Sequence, residues 1–323
     1  AAGARVATAT ASQGLAFMWE ELHIASGMRC PIVMANANRA LSAPINIHGD
    51  HSDIMGVRDT GWAMMFAETA QEAYDNTIIA FKVAEDPNVL LPVLTTLDGF
   101  VTSHAMDNCV MEEDQVVKDF VGDYKPLYPL LDTENPVGHG MFATLGNGYM
   151  KDKLTERHAL DNALEAFEKH GKEWEEITGR SFEVVDSWGA EDADYLIVVL
   201  GSCAGNARHQ ARLLRAEGKK VGVVRPRIFR PFPAKQIVEA CKNAKAVAVI
   251  DRSDSFGSPH APLALEVRAA FQDAGLQIPV SDYLAGMGGA DITLDQMGQV
   301  YAELEQRAQG TYDGSIKYLG IEE

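Results

Sequence analysis

One short interval of the sequence concentrates residues that could bind or transform a ligand. Asn36-Ala37-Asn38-Arg39 closely precedes His48-Gly49-Asp50-His51-Ser52-Asp53, so one guanidinium, two imidazoles and two carboxylates lie near each other in the chain. This concentration of charge is more typical of a functional loop than of a simple connection. The residue types allow two kinds of chemistry: Arg39 could bind an anionic substrate, or the imidazoles and carboxylates could bind a metal ion.

Arg39 is the candidate for substrate binding. A guanidinium holds a carboxylate through two parallel hydrogen bonds, so it fixes the orientation of the substrate as well as its charge. A lysine would hold the charge but not the angle. The alternative is a strand-end arginine that pairs with a nearby acid of the same chain.

The run that contains His48, Asp50, His51 and Asp53 has two interpretations. Imidazoles and carboxylates at this spacing can converge on zinc. In the second interpretation the run is a hydrogen-bonded turn, in which Asp50 and Asp53 cap the following backbone and the imidazoles contact the sheet or a partner. We expect the turn.

The elements around Arg39 form a predicted parallel α/β unit. Residues 5–10 have the pattern of a strand, residues 15–25 place apolar side chains on one helical face after the candidate N-cap Ser12, and residues 32–35 are a short buried strand. Arg39 therefore lies just beyond the carboxyl end of a strand, where open α/β sheets bind ligands. The pattern continues with a helix over residues 67–85 and a strand over residues 89–97, followed by Asp98-Gly99-Phe100.

Two further regions follow along the chain. Between residues 112 and 180 the periodicity weakens, which predicts an extended arm and then a solvated, charged helix over residues 154–177. We expect both to lie on the first domain or on a neighbouring subunit. The later alternation predicts a small, mostly parallel sheet with helices on both faces, so the fold class is α/β with two domains. Its strands are predicted over residues 195–200, 221–224 and 246–250, and its helices over residues 204–217, 263–274, 294–308 and after Pro233.

The composition excludes several classes of protein. The chain has 323 residues, of which 46% are hydrophobic and 23% charged, as in a water-soluble globular protein of two domains. A formal net charge of -18 would repel a nucleic acid backbone. Without an apolar run long enough for a membrane span or a signal peptide, we expect no membrane partner and a cytoplasmic location.

The cysteines allow one further candidate site. Cys30, Cys109, Cys203 and Cys241 are far apart and form no C-x-x-C pair, so we expect reduced thiols. However, the sequence Gly201-Ser202-Cys203-Ala204-Gly205 lies between a predicted strand and a predicted helix and resembles the nucleophile elbow of a thiol hydrolase. The base would be His209 or His260. The alternative is a glycine-rich turn with a small, packed thiol.

Several phrases together resemble the α subunits of pyruvate:ferredoxin oxidoreductases, also called pyruvate synthases, in the 2-oxoacid:ferredoxin oxidoreductase family. The resemblance covers nearly the whole chain. The phrases are Thr10-Ala11-Ser12-Gln13-Gly14-Leu15, Arg39-Ala40-Leu41, Gly49-Asp50-His51-Ser52-Asp53, Arg58-Asp59-Thr60-Gly61-Trp62, Gln71-Glu72-Ala73, Asp98-Gly99-Phe100 with Ser103-His104, and Arg230-Pro231-Phe232.

The resemblance implies a fold and a reaction. It implies a thiamine diphosphate pyrimidine-binding-type domain over residues 1–129, a connecting arm and charged helix over residues 130–180, a transketolase C-terminal-like domain over residues 181–310, and a tail over residues 311–323. The implied reaction interconverts pyruvate and CoA with acetyl-CoA and CO2, with ferredoxin as the electron partner. Arg39 matches the arginine of the family that pairs with the substrate carboxylate. Ser12, Gln13 and Asn38 lie near strand ends and are candidates to line the thiamine pocket.

The resemblance also implies partner chains. The family has an upstream segment with a Tyr-Pro-x-Thr-Pro-like motif and a glutamate that contacts the aminopyrimidine ring; neither stands before Ala1, so we expect the start to be missing. The sequence has no Gly-Asp-Gly motif with a downstream Asn for Mg2+ and diphosphate, and no cysteine cluster for iron–sulfur centres. By similarity, a β subunit would hold Mg2+ and most of the thiamine diphosphate, a ferredoxin-like subunit would carry [4Fe-4S] clusters, and a γ-type subunit would complete the complex.

Some functional alternatives remain open. Arg225, Arg227 and Arg230 could bind a phosphate of CoA, the co-substrate, or form an ion-pair site between subunits. The chain could act on another 2-oxo acid or on oxalate. Outside the family, the alternatives are a Cys-nucleophile hydrolase that uses the 201–205 elbow, or a scaffold subunit without catalytic residues.

Overall fold

Two β-sheets organise the chain in the computed structural model, which describes residues 1–143, 145–310 and 315–321. The predicted tail of residues 311–323 therefore lies partly outside the described residues. None of the described helices is long and apolar enough to cross a membrane.

The first sheet has five strands in the order β1-β2-β4-β3-β8. Strands β1 to β4 are parallel, and β8 is antiparallel to β3. The predicted parallel sheet is confirmed, but β3 and β8 were not predicted. Strand β8 belongs to the second half of the chain, so the second half completes the edge of the first sheet. The strands are β1 (Val6–Thr10), β2 (Ile32–Asn38), β3 (Ala63–Phe66), β4 (Val93–Asp98) and β8 (Ile228–Arg230).

The first predicted helix is divided into two. Helices α1 (Gln13–Phe17) and α2 (Trp19–Gly27) meet at Met18. Ser12 precedes α1 as predicted, but the prediction that its side chain caps the helix is wrong, because the hydroxyl donates to the carbonyl oxygen of Ala40 instead. The other helices of the first half are α3 (Ser52–Gly56), α4 (Ala70–Glu85) and α5 (Asp114–Val121).

The charged helix is longer and more buried than predicted. Helix α6 (Gly148–Thr178) buries Ala159, Ala163, Phe167 and Trp174 against α4 and the first sheet. These residues recur mostly every four positions, so they form one apolar stripe, and the charged residues between them obscured it. The helix lies on the first domain, one of the two places that we expected, whereas the prediction of a solvated helix is wrong along this stripe.

The second sheet has six strands in the order β11-β10-β9-β6-β7-β5, and only β5 is antiparallel to its neighbour. Helices α7 and α10 pack on one face and α8 and α9 on the other, as predicted. The strands are β5 (Val185–Trp188), β6 (Tyr195–Val199), β7 (Val221–Pro226), β9 (Ala246–Asp251), β10 (Val280–Leu284) and β11 (Lys317–Tyr318); the helices are α7 (Cys203–Ala216), α8 (Ala234–Cys241), α9 (Pro262–Asp273) and α10 (Leu294–Arg307).

An ion-pair cluster joins the two halves beside β3. The guanidinium of Arg225 is almost wholly buried and lies 2.8 Å from Glu72 and 3.2 Å from Glu68. Arg227 also pairs with Glu72, at 2.8 Å. Burial alone would raise the pKa of the Glu72 carboxyl, but the two guanidiniums outweigh it and hold the pKa below its usual value.

The arginine cluster is therefore an intramolecular site. The side chain of Arg230 likewise pairs with an acid of this chain, Glu266, at 2.7 Å. The expected ion pairs exist, but the prediction that they lie between subunits is wrong. Since Arg225 and Arg227 already neutralise buried acids, the structure does not favour them as ligands of a CoA phosphate.

We expect Arg225→Met to lower the free energy of unfolding by about 3–5 kcal/mol, because the change leaves Glu72 and Glu68 buried with too little positive charge. Chemical denaturation with intrinsic fluorescence measures the change. Lys219→Met is the matched control, since Lys219 pairs with Glu305 at 2.8 Å on the exposed surface and its loss should leave stability unchanged. Equal stability of the two variants would contradict the structural role of the buried cluster.

Candidate functional site

The candidate site lies at the carboxyl edge of the first sheet. Strands β1, β2, β4 and β3 are parallel, so their carboxyl ends meet at one edge. Ser12 follows β1, Arg39 follows β2 directly, and Asp98 is the last residue of β4. The prediction that Arg39 lies just beyond the end of a strand is confirmed. We call residues 39–51 the Arg39 loop.

The guanidinium of Arg39 has no acidic partner among the residues that the structure describes. Its Nε atom is buried and has no hydrogen-bond partner among the described residues, and no described acid forms an ion pair with it. The alternative of a strand-end arginine paired with a nearby acid is therefore not found in the described part of the chain. Arg39 is half-buried, and a guanidinium without an acidic partner among the described residues suits a site that receives an anion.

Asp53 fixes the backbone of Arg39. One carboxylate oxygen, Oδ2, accepts hydrogen bonds from the backbone N–H of Ser12 at 2.9 Å, the backbone N–H of Arg39 at 3.1 Å and the side-chain amide of Asn36 at 3.1 Å. Burial raises the pKa of Asp53, and these hydrogen bonds oppose the rise. Asp53 thus ties the loop after β1 to the loop after β2, a role that the sequence pattern did not reveal.

The run from His48 to Asp53 is a hydrogen-bonded turn, as we expected. Asp50 accepts from the backbone N–H of Ser52 at 2.9 Å, and Asp53 accepts from that of Ile54 at 2.7 Å. The imidazole of His51 contacts the sheet, with Nε2 at 2.6 Å from Asp98. Among the described residues, no group of three or more His, Cys, Asp or Glu side chains could hold a metal ion.

Two glycines let three backbone segments approach closely beside Arg39. A Cβ atom added to Gly99 would overlap the carbonyl oxygen of Asn38 and lie 3.2 Å from Cγ of Arg39, and one added to Gly49 would overlap the carbonyl oxygen of Gly99. The N–H of Gly99 donates to the carbonyl of Asn38 at 3.0 Å. The motifs Gly49-Asp50-His51 and Asp98-Gly99-Phe100 therefore need glycine for close packing around the Arg39 loop.

The other predicted site residues lie near Arg39 but differ in exposure. Ser12 and Asn38 are fully buried, whereas Gln13 is exposed and donates from Nε2 to the hydroxyl of Ser42 at 3.2 Å. The side-chain oxygen of Asn38 accepts from Asn36 at 2.7 Å, but its Nδ2 atom has no partner among the described residues. Whether these three residues line the thiamine pocket stays a prediction.

The turn at residues 201–205 connects the domains. The N–H and hydroxyl of Ser202 both donate to the carboxylate of Asp98. Cys203 is buried, and burial raises the pKa of its thiol to about 12. His260 lies 3.4 Å from Asp282, and His209 is exposed on α7; among the described contacts, neither imidazole hydrogen-bonds to the thiol. The geometry favours the packed turn over the nucleophile elbow.

Comparisons with known proteins agree with this architecture. Residues 1–175 match the family model described as pyruvate flavodoxin/ferredoxin oxidoreductase, thiamine diphosphate binding, and residues 193–297 match pyruvate:ferredoxin oxidoreductase core domain II. Pyruvate synthase subunit PorA of Thermotoga maritima is 43% identical over 100% of this chain and 81% of its own length. Ketoisovalerate oxidoreductase subunit VorA of Pyrococcus horikoshii is 37% identical over 99% of this chain and 81% of its own length.

A solved structure of a related class shares the fold. The 2-oxoglutarate:ferredoxin oxidoreductase of Magnetococcus marinus, with 2-oxoglutarate, coenzyme A and succinyl-CoA bound, has a TM-score of 0.66 and 19% identity over 94% of this chain. This chain spans 54% of that longer chain. The fold, the position of Arg39 at the carboxyl edge of the first sheet and the two matching family models define a subunit of a thiamine-dependent 2-oxoacid:ferredoxin oxidoreductase. The chain belongs to the pyruvate flavodoxin/ferredoxin oxidoreductase family.

We expect Gly99→Ala to lower the free energy of unfolding by about 1–3 kcal/mol, because the new Cβ would force apart the backbones at Asn38 and Arg39. Thermal unfolding measures the change. Gly56→Ala is the control: no atom lies within 4 Å of a Cβ placed at this helical glycine, so the change should be neutral or slightly stabilising. A fully stable Gly99→Ala variant would show that the close packing is not required.

We expect iodoacetamide at pH 8 to alkylate the exposed Cys109 at least roughly 100-fold faster than Cys203, because a thiol with a pKa of about 12 is almost entirely neutral at that pH. Peptide mass spectrometry measures both rates, and denatured protein, in which both thiols must react, is the control. Preferential labelling of Cys203 with loss of activity would instead support the hydrolase interpretation.

Proposed function

We propose that this chain is the subunit of a pyruvate synthase that holds the 2-oxo acid, and that Arg39 binds the carboxylate of pyruvate. The unpaired guanidinium of Arg39 at the carboxyl edge of the first sheet carries the proposal. A fork of two hydrogen bonds would hold the carboxylate in the plane of the guanidinium and thereby direct the neighbouring carbonyl carbon.

The first domain suits a thiamine enzyme that works with a partner chain. When thiamine diphosphate is bound, it supplies a carbon nucleophile for the carbonyl of a 2-oxo acid. The part of this chain is to bind the carboxylate at Arg39, whose backbone Asp53 holds in place. By similarity to the family, we assign Mg2+ and most of the diphosphate contacts to a β subunit.

An exposed apolar arm supports the proposal of partner chains. We call residues 122–147, between α5 and α6, the apolar arm. The described part of the arm leaves seven large apolar side chains exposed, which is typical of an interface between subunits. The exposed apolar residues are Leu127, Tyr128, Leu130, Leu131, Met141, Phe142 and Leu145. The proposed complex contains the β subunit, a ferredoxin-like subunit with [4Fe-4S] clusters and a γ-type subunit, and transfers electrons to or from ferredoxin.

The remaining parts of the proposal follow the family. The products with CoA are acetyl-CoA and CO2, in either direction, and the location is the cytoplasm. The division into residues 1–129, 130–180, 181–310 and 311–323 stays a prediction. A second candidate is a relative that acts on another 2-oxo acid, because a ketoisovalerate oxidoreductase subunit is also similar over 99% of the chain.

We expect Arg39→Ala in the assembled complex to lower kcat/KM for pyruvate by roughly 100-fold or more, since two charge-assisted hydrogen bonds are lost. Arg39→Lys should recover part of the charge effect but little of the orientation. Steady-state kinetics measure both, with thiamine and iron content as proof of assembly. Arg157→Ala, at an exposed arginine of α6, is the control and should leave the kinetics unchanged.

Unchanged pyruvate kinetics in Arg39→Ala would contradict the assignment of this residue. The wild-type complex assayed with 2-oxoisovalerate separates the two candidate substrates: a higher kcat/KM for 2-oxoisovalerate than for pyruvate would favour the second candidate.

A further inference from the structure

Arg252 of the second domain reaches the Arg39 loop across the domain interface. It follows β9 directly and is 3% exposed. Its side chain donates from one terminal nitrogen to the carbonyl oxygens of Gly49 at 3.0 Å and Gly286 at 3.1 Å, and its other terminal nitrogen lies 3.1 Å from Asp98. Its backbone carbonyl accepts from the N–H of His51 at 2.9 Å.

Arg252 binds two groups of the first domain, and both lie next to the contact between Gly49 and Gly99. Gly49 packs on the carbonyl of Gly99, and Gly99 packs on the backbone at Asn38 and beside Cγ of Arg39. Arg252 binds the carbonyl of Gly49 and the carboxylate of Asp98, the residue before Gly99. A continuous set of contacts therefore runs from Arg252 to the side chain of Arg39.

We propose that Arg252 is a positioning residue for the 2-oxo acid: it holds the Arg39 loop against Gly99 and so sets the position of the Arg39 guanidinium. The proposal rests on the proposed function of Arg39. The second domain thus takes part in substrate binding without touching the substrate. A lysine at position 252 could pair with Asp98, but it could not also donate in the two directions that Gly49 and Gly286 require.

The test uses Arg252→Lys and Arg252→Met in the assembled complex. We expect both to raise KM for pyruvate by roughly 10-fold to 100-fold, because a small displacement of a binding group is costly. KM for CoA should stay within about twofold, since Arg252 acts only on the oxo-acid site. Compared with Arg252→Met, Arg252→Lys should restore more of the thermal stability than of the wild-type KM for pyruvate. If Arg252→Met does not assemble, Arg252→Lys decides the test.

Arg208→Met is the matched control. Arg208 also pairs across the domains, with Glu68 at 3.0 Å, but it has no contact with Gly49, Gly99 or Arg39 among the described hydrogen bonds and ion pairs. Its loss should lower the unfolding temperature and leave KM for pyruvate unchanged. A wild-type KM in Arg252→Lys, or an equal rise in Arg208→Met, would overturn the proposal.

A double variant separates this proposal from the proposed function. If Arg252 acts through Arg39, adding Arg252→Lys to Arg39→Ala should cause no further rise in KM for pyruvate. Additive effects would mean that Arg252 acts by another route, and would overturn the proposal. If Arg39→Ala has wild-type kinetics, the proposed function fails. If Arg39→Ala lowers kcat/KM for pyruvate but the Arg252 variants keep the wild-type KM, only the proposed role of Arg252 fails.

Discussion

The rest of the site depends on the contacts that the buried carboxylate of Asp98 makes. It is 1% exposed and contacts His51, Ser202 and Arg252, which come from both domains. Burial alone would raise its pKa, but the His51 and Arg252 side chains outweigh that effect and hold the pKa well below the usual carboxyl range. The group therefore stabilises the fold above the ordinary carboxyl pKa, and this contribution is lost only as the pH falls through the lower folded value.

The position of Asp98 explains why the site and the domain interface are the same region. Asp98 ends β4, so the next residue, Gly99, packs directly beside Arg39. The second domain contributes a strand to the first sheet, a buried pair of arginines to its acids, and Arg252 to the Arg39 loop. An interface with this many buried contacts suits the proposed site, which must hold a small substrate in one orientation.

Arg39 differs from the other arginines of this region in its ion-pair partners. Arg39 has no anionic partner among the described residues, whereas the other arginines discussed here have acidic partners in the same chain. That contrast supports the proposal that Arg39 binds a ligand while the other arginines stabilise the fold. The exposed apolar arm agrees with the proposal that this chain is one subunit of a larger complex.

The sequence by itself determined the α/β class, most strands and helices, and the place of Arg39 after β2, because these follow from local hydrophobic patterns and from the turn chemistry of neighbouring residues. It also determined that Asp50 and Asp53 form a turn. Only the tertiary structure decided that α6 is packed, that Arg225 pairs within the chain, that Asp53 ties two loops, and that Arg252 holds the Arg39 loop. The reason is that each of these depends on groups brought together from distant parts of the chain, such as Arg252 and Gly49, and no local pattern specifies such a pairing.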